Sequence, residues 1–344
     1  MSQQFWSDAW YQGRWWLVLL LPLSGLFGFI ARLRRRKLQG DVQAYTAPVV
    51  VVGNISLGGT GKTPLLISLV NAMRERGFRP GVVSRGYGGR ASQYPYLVTV
   101  DSEPAQSGDE PLLIALEAGC PVVVDPNRDS AVKYLLDNFD CDLVLSDDGL
   151  QHYALHRDFE ICVVDGQRGL GNGRCLPAGP LRESPERLSE VDWVVVNGEL
   201  EQSLPLGVAS ECLYTMTVQP SEWRELSTGS RIVAAKALPA EFVAPLNAVS
   251  GIGNPSRFFN TLSSLGVEAG QYVFPDHHAY TEDDLAFAEQ GTLLMTTKDA
   301  VKCRKFVKPN WWSLSVTAQL PDVFYDQIAE SVRARAADLI ASKG

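Results

Sequence analysis

Residues 48 to 54 read PVVVVGN, and the ten residues after Asn54 read ISLGGTGKTP. The first run is continuously β-branched, as in a strand buried on both faces of a parallel sheet. The glycines that follow let backbone N–H groups curl round an anion, and the spacing predicts a helix from Thr63 through Arg76. Strand, glycine loop and helix in that order cradle phosphate. In the stretch Ser56, Leu57, Gly58, Gly59, Thr60, Gly61, Lys62 and Thr63, the lysine brings charge to the β/γ phosphates and the threonine hydroxyl a ligand for magnesium. The general pattern has glycine where this chain has Ser56, and the flanking strand and helix supply the context that this departure weakens.

Further strands are expected at Gly81 to Ser84, Pro121 to Val124, Asp142 to Ser146, Ile161 to Asp165 and Trp193 to Asn197. The segments between them are long enough for crossovers, so the first two-thirds of the 344 residues reads as α/β. The pattern resumes with Arg231 to Ala235, Ala248 to Gly251, Thr292 to Thr296 and Trp312 to Val316, with helices near Pro255 to Leu265 and Asp322 to Ile340. A polar, turn-rich stretch from Ser221 to Ser230 marks the expected boundary, giving units 37–228 and 229–344.

The remaining unit, 1–36, is different in kind. Trp15 to Ala31 contains seventeen residues without a charge, followed by RLRRRK from Arg32 to Lys37. Basic residues after the apolar run are the wrong order for a cleaved signal peptide and suit an uncleaved anchor or interfacial helix on the cytoplasmic side of a membrane. Pro22, Ser24, Gly25 and Gly28 are expected to break or bend that helix. The chain as a whole carries 31 Lys and Arg against 39 Asp and Glu, a net charge of -8, which excludes a general nucleic-acid binder. Six scattered cysteines without paired short spacings read as free thiols in a reducing compartment.

Asp147 and Asp148 end an apolar strand, where a magnesium-holding acid emerges beside a phosphate loop. Gly108-Asp109-Glu110-Pro111 opens a helical run, so its acids read either as first-turn helix residues or as a base facing the loop. His277 and His278 lack the spacing of a zinc site; either a loop hydrogen bond or polarisation of a catalytic carboxylate fits them. Arg85, Arg128 and Arg174 lie in glycine-, proline- or asparagine-bearing loops and are candidates for binding a substrate phosphate.

Together VVVVGNISLGGTGKTP, VVSRGYGG, GDEP, DDGLQH, RGLGNGRCLPAGPLRE, GIGNP, FPDHHAY and TTKDAVK resemble the tetraacyldisaccharide 4'-kinase family, the lipid A 4'-kinases of Gram-negative bacteria. The resemblance spans nearly the whole chain and includes serine at position 56. It implies a P-loop NTPase-like, mostly parallel sheet with a smaller carboxy-terminal α/β lobe closing the active site. It also implies ATP and Mg2+ as cofactors, and transfer of the γ-phosphate to the 4'-hydroxyl of a lipid A disaccharide precursor at the inner membrane. Inner-membrane lipids are the other implied partner, with no nucleic acid and no obligate protein partner. By the family pattern Asp109 is the catalytic base and His277 its partner, with Lys62, Thr63, Asp147 and Asp148 at the metal and phosphates. A P-loop GTPase or ATPase switch and a non-catalytic scaffold are the competing readings; no NKxD-type guanine signature supports the first, and an intact Lys62, Thr63 and Asp147-Asp148 set argues against the second.

Overall fold

The computed structural model describes residues 3–38, 42–201, 204, 207–235 and 238–341, so each of the three expected units includes a few residues outside the described ones. The described helices are α1 (Gln3–Tyr11), α2 (Leu21–Leu38), α3 (Lys62–Glu75), α4 (Pro104–Ser107), α5 (Asp109–Ala118), α6 (Arg128–Asn138), α7 (Pro255–Ser264), α8 (Thr297–Cys303) and α9 (Asp322–Ala341). The strands of the amino-terminal lobe are β1 (Val49–Gly53), β2 (Pro80–Ser84), β3 (Tyr96–Val98), β4 (Val122–Val124), β5 (Leu143–Asp147), β6 (Phe159–Asp165), β7 (Trp193–Asn197) and the first part of β8 (Leu213–Glu225). The rest of β8 joins β9 (Arg231–Val233), β10 (Leu246–Ser250), β11 (Gly270–Val273), β12 (Thr292–Thr296) and β13 (Trp311–Gln319).

Strand order runs β11-β10-β12-β13-β8-β7-β6-β1-β5-β2-β4-β3, with β9 on β8. Pairing is parallel except at β3–β4, β8–β9 and β8–β13. The expected strands occur within three residues of their places, and β3, β8 and β11 have no counterpart among them. β3 and β11 are short edge strands, and β8 carries Pro220 and a mixed burial pattern, so none presents a continuous apolar run.

β8 joins the two parallel groups. Leu213 to Met216 pair with β7, and Thr217 to Glu225 pair antiparallel with β13. The turn-rich stretch around 221–230 is the β8–β9 hairpin: the Glu225 carboxylate accepts from the Thr228 N–H at 2.6 Å, and Gly229 supplies a φ of 75°. Its polar residues therefore build a turn inside the carboxy-terminal lobe.

Apolar layers cover both faces of each sheet group. α3 and α5 supply one face of the amino-terminal lobe, α6 the other; α7 and α8 cover the two faces of the carboxy-terminal group. α9, which the sequence places with the second unit, leaves it and packs in the first core through Phe324, Ile328 and Val332. Arg335 then meets Asp158 at 2.6 Å, and the Tyr214 hydroxyl donates to Gln327 at 2.6 Å.

At the amino terminus a 3-10 turn over Trp15–Leu20 leads into α2. The expected break at Pro22 does not occur, because proline in the first helical turn removes an N–H that has no partner there. Ser24 Oγ donates to the Cys175 carbonyl at 2.6 Å, and Gly28 faces Cys175 Sγ, so small residues bring α2 close to the 174–181 loop. Leu17 is buried beside Leu57 of the glycine loop and Leu176.

Phe324→Ala should destabilise the amino-terminal lobe by about 3–5 kcal/mol, because it empties a fully buried site in that core. Denaturant unfolding followed through Trp193, at the β7 end of the same core, measures it; an unchanged midpoint would show that α9 is not part of that core.

Candidate active site

The buried polar residues of the amino-terminal sheet gather at one edge. Asn54, Ser84, Asp125, Asp147, Asp165 and Asn197 each end a strand or directly follow one, and all are buried. Ligands of open parallel sheets bind outside the carboxyl ends of the strands. Here that edge faces the carboxy-terminal lobe across a cleft of about 1550 Å³.

Leu57 through Thr63 line the cleft, while Ser56 lies beneath them, bridged to Leu181. Ser56 is not among the residues with left-handed backbone, so this position makes no demand for glycine. Gly58 and Gly61 are, with φ of 97° and 96°. A Cβ on Gly61 would lie 2.3 Å from Asn197 Nδ2, which donates to the Thr60 carbonyl at 2.9 Å. Asn54 Nδ2 donates to the Ser56 carbonyl at 2.8 Å, and Lys62 Nζ donates to Asn54 Oδ1 at 3.2 Å, so the loop is held from within.

Asp147 and Asp148 stand opposite Lys62. Asp148 leaves β5 with a φ of 44°, and its carboxylate lies 3.4 Å from Lys62 Nζ and 3.2 Å from Arg182. Burial raises its pKa, but Lys62 and Arg182 outweigh burial and leave it below the usual value. Asp147 is buried with one oxygen accepting from Ser84 Oγ at 3.1 Å and the other, Oδ1, without a partner. Burial, reinforced by Glu110 and Asp148, pushes its carboxyl up to about 7. Arg128 is itself buried, and its guanidinium donates to the main-chain carbonyls of Asp147 and Asp148, both at 3.0 Å.

On the opposite wall Glu110 and His277 line the cleft, and Asp109, the first residue of α5, is buried off the lining, where it meets His277 of the carboxy-terminal lobe. His277 Nδ1 lies 3.1 and 3.2 Å from the two carboxylate oxygens, and its own backbone is left-handed at φ 59°. The Tyr87 ring packs edge-on against the imidazole at 5.2 Å between centroids. Burial raises the Asp109 carboxyl, but His277 and Lys298 outweigh it and hold it below the usual value; the hydrogen bond to Asp109 raises His277. His278 turns away and pairs with Asp284 at 3.1 Å.

Of the three candidate arginines, Arg85 lines the cleft exposed, Arg128 lines it with Nη2 donating to main chain and its buried Nε unpartnered, and Arg174 lies off the lining in the loop under α2. Sequence reading assigned no role to Arg182, Lys298 or Asp276, although all three line the cleft. Lys298 bonds Glu110 across 188 positions of chain, a separation at which local spacing carries no signal. The lobes also touch where Gly253 sits against the Gly59 nitrogen and where Arg257 pairs with Asp165 at 3.2 Å.

Residues 16–333 match the family described as LpxK, tetraacyldisaccharide-1-P 4'-kinase. The chain belongs to that family. A relative named tetraacyldisaccharide 4'-kinase from Alcanivorax borkumensis is 50% identical over 327 residues, covering 94% of this chain and 96% of its own. One from Hahella chejuensis is 46% identical, covering 93% and 94%. The fold is similar to that of a crystal structure of LpxK from Aquifex aeolicus in complex with ATP, with a TM-score of 0.75, 26% identity and coverage of 93% of this chain and 99% of that one.

The Asp109–His277 pair makes lobe contact pH-dependent. The imidazole, raised by Asp109, stabilises fully below its usual 6.5 and loses that contribution as pH rises through its folded value. The carboxyl, lowered, contributes above its usual 3.8 and loses that contribution as pH falls through its folded value. His277→Gln should therefore lower Tm more at about pH 5.5 than at about pH 9. Equal losses at both would show that the pair does not form as a charged one.

Proposed function

We infer that the protein transfers the γ-phosphate of ATP to the 4'-hydroxyl of tetraacyldisaccharide 1-phosphate, giving the 1,4'-bisphosphorylated lipid A precursor. The observation that carries this reading is one cleft with a phosphate loop and Lys62 on one wall and, on the other, His277 in contact with the buried Asp109. Phosphoryl transfer requires positioning and charge compensation more than covalent chemistry, and a hydroxyl acceptor adds the need for a base.

Gly58 to Gly61 wrap the phosphates with main-chain N–H groups, and Lys62 offsets the charge on the β- and γ-phosphates. Asp109 takes the proton of the acceptor hydroxyl, with His277 holding the carboxylate; the two titrate as a pair. Arg85 is the arginine free to meet a phosphate of either substrate.

Magnesium fits the residues present. Asp147 Oδ1 is buried without a partner, and Asp148 and Thr63 add oxygen donors beside it, the ligand type this ion takes along with water and substrate phosphates. When bound there the ion neutralises charge on the β- and γ-oxygens.

The apolar amino terminus brings the cleft to a lipid acceptor. Within the 24 residues Trp15–Leu38, an 18-residue window has mean hydropathy 1.9 and only 11% of that window is buried. Leu19, Leu23, Leu26, Phe29 and Ile30 are exposed, and the last turn of α2 carries Arg35, Arg36 and Lys37. Arg35 pairs with Glu190 of the protein body, and an exposed apolar face ending in Arg36 and Lys37 suits the cytoplasmic face of the inner membrane, with those two cations at anionic headgroups. Leu17 against Leu57 ties that surface to the phosphate loop.

Labelled ATP and detergent-dispersed tetraacyldisaccharide 1-phosphate test the reaction. Wild type should label the lipid; Lys62→Ala should lose about 10²–10³-fold and Asp109→Asn about 10²–10⁴-fold with ATP binding retained. ATP hydrolysis without labelled lipid would reject the acceptor. Deleting residues 1–36 should move the protein from the membrane to the soluble fraction, and an unchanged distribution would reject this segment as the anchor.

A further inference from the structure

Three carboxylates from two lobes converge on a single ammonium group. Lys298, the second residue of α8, places Nζ 2.9 Å from Glu110 Oε1, 3.3 Å from Asp276 Oδ1 and 4.0 Å from Asp109 Oδ2. Asp109 and Glu110 open α5 in the amino-terminal lobe, whereas Asp276 and Lys298 belong to the carboxy-terminal lobe. The lysine side chain is only 16% exposed, so little water screens these contacts. Burial lowers its pKa, but Glu110, Asp109 and Asp276 more than reverse that, and the side chain stays charged.

The groups facing Asp109 can be named from each side. His277 approaches from the loop after β11, Lys298 and Lys302 from α8, and Glu110 neighbours it on α5. Lys302 is engaged elsewhere, 2.8 Å from the buried Asp299. Asp276 lies 3.9 Å from the far nitrogen of His277 and bonds the His277 main-chain N–H at 3.0 Å. Lys298 is therefore the cation that touches both the helix bearing Asp109 and the loop bearing His277.

We propose that Lys298 is a positioning residue for phosphoryl transfer: it draws the first turn of α5 and the Asp276-His277 loop together across the lobe seam and keeps Asp109 a carboxylate facing the imidazole. Its charge is what the position requires. Without it, Asp109, Glu110 and Asp276 face one another across the seam, offset by His277 and by a Lys302 already paired with Asp299, and like charges at that spacing disfavour ionisation and closure. This rests on the reading of Asp109 as the base.

The pH profile of kcat with ATP and the detergent-dispersed lipid acceptor tests the proposal, in Lys298→Met, Lys298→Gln and Lys298→Arg. The neutral variants should shift the acidic limb upward by about one pH unit, a tenfold loss of kcat on that limb, with KM for ATP within about twofold of wild type. Lys298→Arg should keep the wild-type limb because it keeps the charge. Lys298→Gln, which retains a hydrogen-bonding end, carries the test if the methionine variant does not fold. A limb that stays in place in the neutral variants, or moves equally in the arginine variant, overturns the proposal. Asp109→Asn run alongside separates the two readings: full transfer by that variant overturns the base assignment and this inference with it, whereas an inactive Asp109→Asn beside an unmoved limb overturns this inference alone.

Discussion

Two adjacent carboxylates at the floor of a cleft are the constraint around which the rest is arranged. Removing a carboxylate from water costs several kcal/mol unless charge or hydrogen bonds replace the lost solvation. Strand alternation would send neighbouring side chains to opposite faces of β5. Asp148 escapes that rule by leaving the strand in a left-handed conformation, which aspartate tolerates better than most residues. Its charge is then met by Lys62 and Arg182, and Arg128 secures the main chain of both acids from below. Of the two, Asp147 is left with an oxygen unmatched.

The opposing wall is built on another economy. Asp109 and His277 come from different lobes, so the pair exists only where the two lobes meet. Polar contacts there are Lys298 among three carboxylates, Arg257 on Asp165, and Gly253 against the glycine loop, while Val301 and Ala318 join the apolar core of the other lobe. β8 carries the chain directly from one sheet group to the other. The enzyme thereby encloses a site for a phosphate donor and a lipid alcohol between surfaces that each contribute chemistry.

Much of this was legible in the chain. Buried parallel strands announce themselves as runs such as VVVV, and the glycine loop with Lys62 and Thr63 names its own ligand. The acids at the end of β5 follow from the same logic. What local pattern could not supply is whatever depends on distant pairing. β8 is half exposed and shared between two sheet groups, so it has neither the apolar run nor the clean alternation of a strand. Ser221 to Ser230 has the composition of a linker and the hydrogen bonds of a hairpin. Arg128 and Arg174 look alike in sequence, yet one is buried under the acids and the other lies off the cleft, a difference set by tertiary position. The assignment of His277 over His278 came from family likeness, and the geometry separates them: one faces Asp109, the other Asp284.

The return of α9 to the first core has a consequence for how the chain must be made. The carboxy-terminal lobe is entered through β8 and left through β13 and α9, so topologically it is an insertion within the other lobe. Phe324, Ile328 and Val332 fill space beside strands laid down more than a hundred residues earlier. During synthesis the phosphate-loop lobe therefore stays incomplete, with apolar surface open, until the inserted lobe and α9 have emerged. The nascent chain cannot complete the core of its phosphate-loop half before it has synthesised the half that brings His277.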